Sequence, residues 1–323
     1  MKKLRLLGIS FMIIMLGGLV FAFYNLQNIS DWLRLKDYTP STNVVALADN
    51  TTMNSLGTKL FYVSYPEVID KNNFYNYCHI EEFSIILGCY LTGEQRIYIL
   101  NVTDERLNGI KEVTAAHEML HVAYARLSNQ EKERIDKLLL DTYDTITDSR
   151  LIETIENYRK ADPSVVTNEL HSILGSEVRS LPSELEDYYK QYFTNRSKVV
   201  SYSERYEQAF IDRRDAIRDY DNQLSEMKTQ IDALSNTLST ESQELNNLKQ
   251  QLNTLRETDI PAYNSAVPDF NNRVAEYNNQ SDHLATLIVS YNELVNKRNS
   301  VASEEAELIQ AINSKDVLPE RSN

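Results

Sequence analysis

Glycine and proline are scarce in this chain, 8 and 7 among 323 residues. So few breakers exclude a turn-rich β architecture and favour long helices. Basic residues are outnumbered, 33 to 47, leaving a net charge of −14. That balance excludes a nucleic-acid partner, whose phosphates such a surface repels. There is a single tryptophan, Trp32, and only two cysteines, Cys78 and Cys89. In an oxidising compartment the two cysteines can close a loop of about ten residues. Two buried thiols are the alternative. A metal site is a third reading, although nothing nearby supplies further ligands at a familiar spacing.

One long hydrophobic run is present. Lys2, Lys3 and Arg5 precede an uncharged stretch from Leu6 to Phe23, long enough to cross a ~30 Å hydrocarbon core. No small-residue cleavage site follows it. The expectation is a single-pass membrane protein, with residues 1–23 as an uncleaved transmembrane signal-anchor, the N-terminus cytoplasmic and the rest extracytoplasmic. Residues 24–42 then read as a polar juxtamembrane spacer.

From about 43 to 200 the pattern is mixed. "KLFYVSY" (Lys59–Tyr65) and "RIYILNV" (Arg96–Val102) are rich in β-branched and aromatic residues and predict strands. Apolar residues recurring every three or four positions across Gly109–Ser128 predict a helix. Further helices are expected at 129–147, 149–160, 167–179 and 182–194, with Pro163 and Pro182 at two of their starts. The expected fold class is therefore α+β over 43–200, strands first and helices after. From 201 to 314 two heptad seams take over, Leu224 to Leu255 and Phe270 to Ile312, parted by a stretch containing Pro261 and Pro268. They predict two helices of ~75 Å paired as an antiparallel coiled-coil hairpin, with Glu241, Ser281, Arg298 and Glu305 in the seams' polar slots. Two helices that each pair with another chain are the alternative. The hairpin's expected role is a spacer or docking arm, for a protein partner or for self-association. Residues 315–323 form a tail.

The chemistry concentrates in "VTAAHEMLHVAYARL" (Val113–Leu127). His117 and His121, four apart on a helix, direct two imidazoles at one point. Zinc takes such nitrogens as ligands, and a catalytic site needs three protein ligands plus one position for water. Glu118, beside the first histidine, reaches that water as general base. A chance H-E-x-x-H in a chain of this length is on the order of one in a hundred. The third ligand is sought in "VVTNELHSILGSEV" (Val165–Val178), where Thr167 or Asn168 can cap a helix. Glu169, His171 and Glu177 are its candidates.

These two stretches resemble the glutamate-ligand zinc metallopeptidases, the gluzincin clan of thermolysin-like proteases. "HEMLH" matches the clan's first motif at His117, Glu118 and His121, and "NELHSILGS" looks like its glutamate helix, with Glu169 at the ligand position and Gly175 permitting close helix packing. The likeness spans roughly residues 95–180. It departs from the clan's pattern at Ile173, where an aspartate is the rule, and in a longer gap between His121 and Glu169. The resemblance implies a zincin-like catalytic domain, Zn2+ held by His117, His121 and Glu169, and hydrolysis of a peptide or protein substrate. It also implies an edge strand upstream of the motif helix that aligns the substrate backbone, the place of Arg96–Val102. His171 is an additional candidate ligand or a residue that orients Glu169 or Glu118. Tyr189, in "LEDYYKQYFTNR", is the tyrosine singled out as donor to the oxyanion. The competing reading is a non-catalytic envelope or surface protein whose coiled coil does the work and whose zincin domain is structural or degenerate.

Overall fold

The computed structural model describes residues 15–16, 25–78 and 86–313. Its contacts divide the chain into two units, Met1–Gln208 with Ile309–Asn323, and Ala209–Leu308.

In the first unit, helix α1 (25–35), α2 (Thr42–Asn50) and α3 (Ser55–Val63) precede β1 (Glu67–Ile69) and the short α4 (Lys71–Phe74). Then come β2 (Gly88–Leu91), β3 (Arg96–Leu100) and the helices α5 (Ile110–Ala125), α6 (Asn129–Tyr143), α7 (Ser149–Ala161), α8 (Val166–Ser176) and α9 (Ser183–Tyr189). The three strands form one sheet in the order β1-β3-β2, with β1 parallel and β2 antiparallel to β3. Cys78 and Cys89 are disulfide-bonded, which ties the chain after α4 to β2.

The expectation of an α+β, zincin-like domain is not met: the described residues are mostly helical, with three short strands among them. One reason is local. "KLFYVSY", expected as a strand, lies largely within α3. Asn54 starts that helix by accepting hydrogen bonds from the Leu56 and Gly57 amides, and Leu60, Phe61 and Val63 are buried along it. The cap and the helical spacing of buried positions override the β propensity of Phe61, Tyr62 and Val63. The second expected strand exists but is central. Tyr98 faces Glu67 on one side and Cys89 on the other, so the edge beside α5 belongs to β2.

The membrane expectation is also corrected. Among the described residues no helix is long and apolar enough to cross a membrane. Except for residues 15–16, the run 1–23 lies outside the described residues, as does the tail 315–323. The single-pass, extracytoplasmic placement is withdrawn with it. Residues 24–42, expected as a spacer, contain α1. That helix carries Asp31, whose buried carboxylate accepts from Gln27 (3.0 Å) and pairs with Lys59 and Arg126, both at 2.9 Å.

The core is built around α5, which is buried on nearly every side: Val113, Ala115, Ala116, Met119, Leu120, Val122 and Ala123 are all inside. A helix apolar all round belongs in an interior, and its alanines let neighbours approach. α6 begins with a capping box, Ser128 and Glu131 exchanging bonds with each other's backbone.

The second unit is the middle of a helical pair, α10 (Arg196–Thr258) and α11 (Ile260–Ile312), which Asp259 separates. Its ion pairs run antiparallel: Arg213 with Glu304, Arg298 with Asp221, and Arg273 with Glu241 and Glu244. The expected hairpin is present. Two of its polar seam residues, Glu241 and Arg298, are members of these pairs. Pro268 sits inside α11 rather than ending it.

Asp31→Asn removes the one anion between two cations in a buried site, so we expect a loss of about 3 kcal/mol in urea unfolding. Burial alone would raise the Asp31 carboxyl, but Lys59, Arg126 and Gln27 outweigh it and hold it below its ordinary 3.8. The folded value is depressed, so this stabilisation is complete above that ordinary value and lost as pH falls towards the folded one. Wild type should lose stability in that acid range and the Asn variant should lose less, which parallel urea titrations check.

Candidate metal centre

The site forms where α8 lies across α5. Gly175 makes that approach possible: a Cβ there would stand 2.5 Å from Leu120 Cδ1 and 2.6 Å from Tyr189 Cε1. The glycine singled out in the sequence for close packing has that role. α8 follows a 3-10 turn, Pro163–Val165, which Asp162 caps by accepting from the Ser164 amide. Neither residue expected to cap α8 does so. The Thr167 hydroxyl lies 2.8 Å from that of Tyr124, and Asn168 turns to the site.

His117, His121 and Glu169 converge, one ligand atom from each lying within 4.8 Å of the others. His117 Nε2 lies 3.6 Å from Glu169 Oε2, and His121 Nε2 lies 3.6 Å from Glu169 Oε1. These separations exceed hydrogen-bonding distance. They are close to the ~3.4 Å between ligands around one tetrahedral ion with bonds of ~2.0–2.1 Å. Glu169 Oε2 is buried and makes no hydrogen bond among the described residues. His121 Nδ1 is 3.1 Å from Asn168 Oδ1 and 3.1 Å from Ser172 Oγ. With Asn168 as acceptor, Nδ1 carries the proton and the Nε2 lone pair faces Glu169, the arrangement a histidine ligand requires. Two nitrogens and one carboxylate oxygen are a donor set that zinc accepts. The residues fit that ion.

The electrostatics agree. Burial works against a charged His117 ring, yet Glu169 and Glu118 outweigh it and raise that ring to about 9. Burial pushes His121 down. Glu169, despite burial, is held below the usual carboxylate range by His121 and His117, and Tyr158 also hydrogen-bonds to it. A proton on His117 is one way to meet the site's demand for positive charge. A divalent cation is another.

Glu118 follows His117 on α5, is 5% exposed, and lines a cavity of about 200 Å3 together with His117. Strand β2 forms one wall. A Cβ at Gly88 would stand 2.8 Å from Glu118 Oε1, so the glycine leaves this carboxylate its place.

The other expected residues lie elsewhere. His171 is fully buried, with Nε2 2.8 Å from the Tyr188 hydroxyl, and burial drives its ring down to about 3. It is not among the converging ligand atoms. Tyr189 is fully buried and donates to the His171 carbonyl, and it does not line the cavity. Glu177 lies in the cavity wall, paired with Arg150.

The sequence reading did not single out Arg150, Thr154 and Tyr158, which form the cavity's wall on α7. Their spacing of four marks one helix face, the only signal that could have found them. It does not say what the face looks upon. No protein-family model, curated protein or solved structure matches this chain.

Gly175→Val should force α8 away from α5. We expect a destabilisation of several kcal/mol from overpacking, and weaker zinc binding in any folded fraction, read by calorimetry beside Gly93→Ala, where a Cβ meets nothing.

Proposed function

We propose that this protein is a zinc-dependent peptidase whose metal is held by His117, His121 and Glu169. The observation that carries the reading is the number and kind of converging donors: two imidazoles and one carboxylate among the described residues. Catalytic zinc sites use three protein ligands and keep a position for water, whereas structural sites use four. When bound, the ion would supply Lewis acidity to the scissile carbonyl and lower the pKa of the attacking water.

The chain's own residues do the rest. Glu118 accepts the water's proton and returns it to the leaving amine. Asn168 fixes the ring of His121. Tyr158, whose hydroxyl bonds to Glu169, lines the same cavity, and Tyr189 does not. Of the sheet's two edge strands, β1 and β2, β2 is the one that carries Gly88 in the cavity wall. An extended substrate added there would lie against Gly88, beside Glu118. The resemblance to the gluzincins is thus a likeness of site chemistry, without the clan's fold.

Elemental analysis of the full chain should find about one zinc per molecule, lost in His121→Ala and in Glu169→Ala. Glu118→Gln should keep the metal while peptide hydrolysis drops at least 10²-fold. A folded wild type that takes up no zinc when supplied with it overturns the proposal.

A further inference from the structure

The cavity beside Glu118 ends in a charge cluster that the proposed mechanism does not use. Arg150 on α7 donates from Nη1 and Nη2 to Glu177 Oε2, both at 3.1 Å. Its Nη2 also pairs with Glu207 Oε1 at 2.6 Å. One guanidinium therefore serves two carboxylates. Arg150 and Glu177 both line the cavity, and Glu177 Oε1 accepts no bond among the described residues. Among the described residues Ser203 is a further partner of Glu207, at 3.0 Å. Burial first and then Glu177 push the Glu207 carboxyl up to about 7 despite Arg150.

The walls between this cluster and Glu118 are apolar, from Leu87, Val113 and Ile173 with the ring of Tyr206. At about 200 Å3 the space is small for a whole ligand but has room for one long side chain. A carboxylate entering it would meet two acids already gathered around one guanidinium. A neutral aliphatic chain would leave the excess charge unanswered. A lysine or arginine would lay its methylenes along the walls and bring its cation to Glu177.

We infer that this cavity is a specificity pocket for a basic side chain next to the scissile bond, read by Glu177 within the Arg150–Glu177–Glu207 cluster. The inference names the substrate class of the site proposed above and rests on that reading for its catalytic test alone.

Two measurements on the zinc-loaded full chain decide it. In titration calorimetry n-butylguanidinium and n-butylammonium should bind, with butyrate and 1-butanol at least tenfold weaker. Glu177→Gln should weaken the cations at least tenfold, and Thr154→Phe, which fills the cavity from α7, should do the same. Circular dichroism establishes that each variant is folded. Absent cation binding, equal binding of 1-butanol, or cation binding that both variants leave unchanged overturns the pocket. The second measurement compares peptides differing only at the residues flanking the cleaved bond. Lysine or arginine should exceed leucine at least tenfold in kcat/KM, with glutamate lowest, and Glu177→Gln should cut the lysine-to-leucine ratio at least tenfold. Leucine equal to or above lysine overturns the inference. No cleavage of any peptide by zinc-loaded wild type counts against the peptidase reading, while the calorimetry still decides the pocket.

Discussion

Taking a carboxylate out of water costs several kcal/mol unless positive charge and hydrogen bonds replace the lost hydration. Glu169 is 8% exposed, on a helix otherwise surrounded by apolar neighbours. Its charge is offset there by two imidazoles 3.6 Å away and by a hydrogen bond from Tyr158. That requirement governs the surroundings. α8 must lie close to α5, so position 175 has no room for a side chain. His121 must present Nε2 and not Nδ1, so Asn168 and Ser172 hold its other nitrogen. His117 must carry positive charge or face it. A single buried anion thus sets the packing distance, the tautomer and the charge state of its neighbours.

The cavity extends this pattern of acids without enough cations. Glu118 and Glu177 line it, Glu207 stands behind, and Arg150 and His117 are the basic side chains among its described lining residues. A protein that needed only stability would gain more from apolar residues of similar volume than from such a cluster. The imbalance has a use if the positive charge arrives with a metal at one end and a substrate at the other. The second unit meets the same problem differently. Glu241 occupies a seam slot that the heptad pattern reserves for an apolar residue, and Arg273 on the opposing helix answers it. There the seam anion meets its cation within the chain, and Arg273 also pairs with Glu244.

How far the sequence told this in advance depends on the range of the interaction involved. His117, Glu118 and His121 belong to one helix, where a spacing of four fixes their common face whatever surrounds them. The helical pair was legible because a heptad pattern needs only its partner helix. Glu169 was preferred over His171 on its neighbours in the chain, and the helix turns 169 to His117 and His121 and 171 to the core. Tyr189 donates to the His171 carbonyl and does not line the cavity; with twenty tyrosines in the chain, proximity in sequence had no discriminating power. Arg150 and Tyr158 escaped notice because they reach the cavity by tertiary packing of α7, which no local pattern encodes. The strand expected at Lys59–Tyr65 failed where β propensity opposed an asparagine cap and helical burial, and the cap and burial prevailed.

The likeness in sequence reached the site and not the fold, and the geometry explains why. Two histidines four apart need one helix, and a third ligand needs only a second helix packed against it. The α5–α8 pair meets both conditions and asks for no particular sheet, strand order or domain behind it. A short motif therefore constrains chemistry tightly and architecture hardly at all, the general relation between sites and folds. That is why correcting the fold class leaves the proposed metal site untouched: it rests on distances between Nε2 and carboxylate oxygens, which the strand count does not enter.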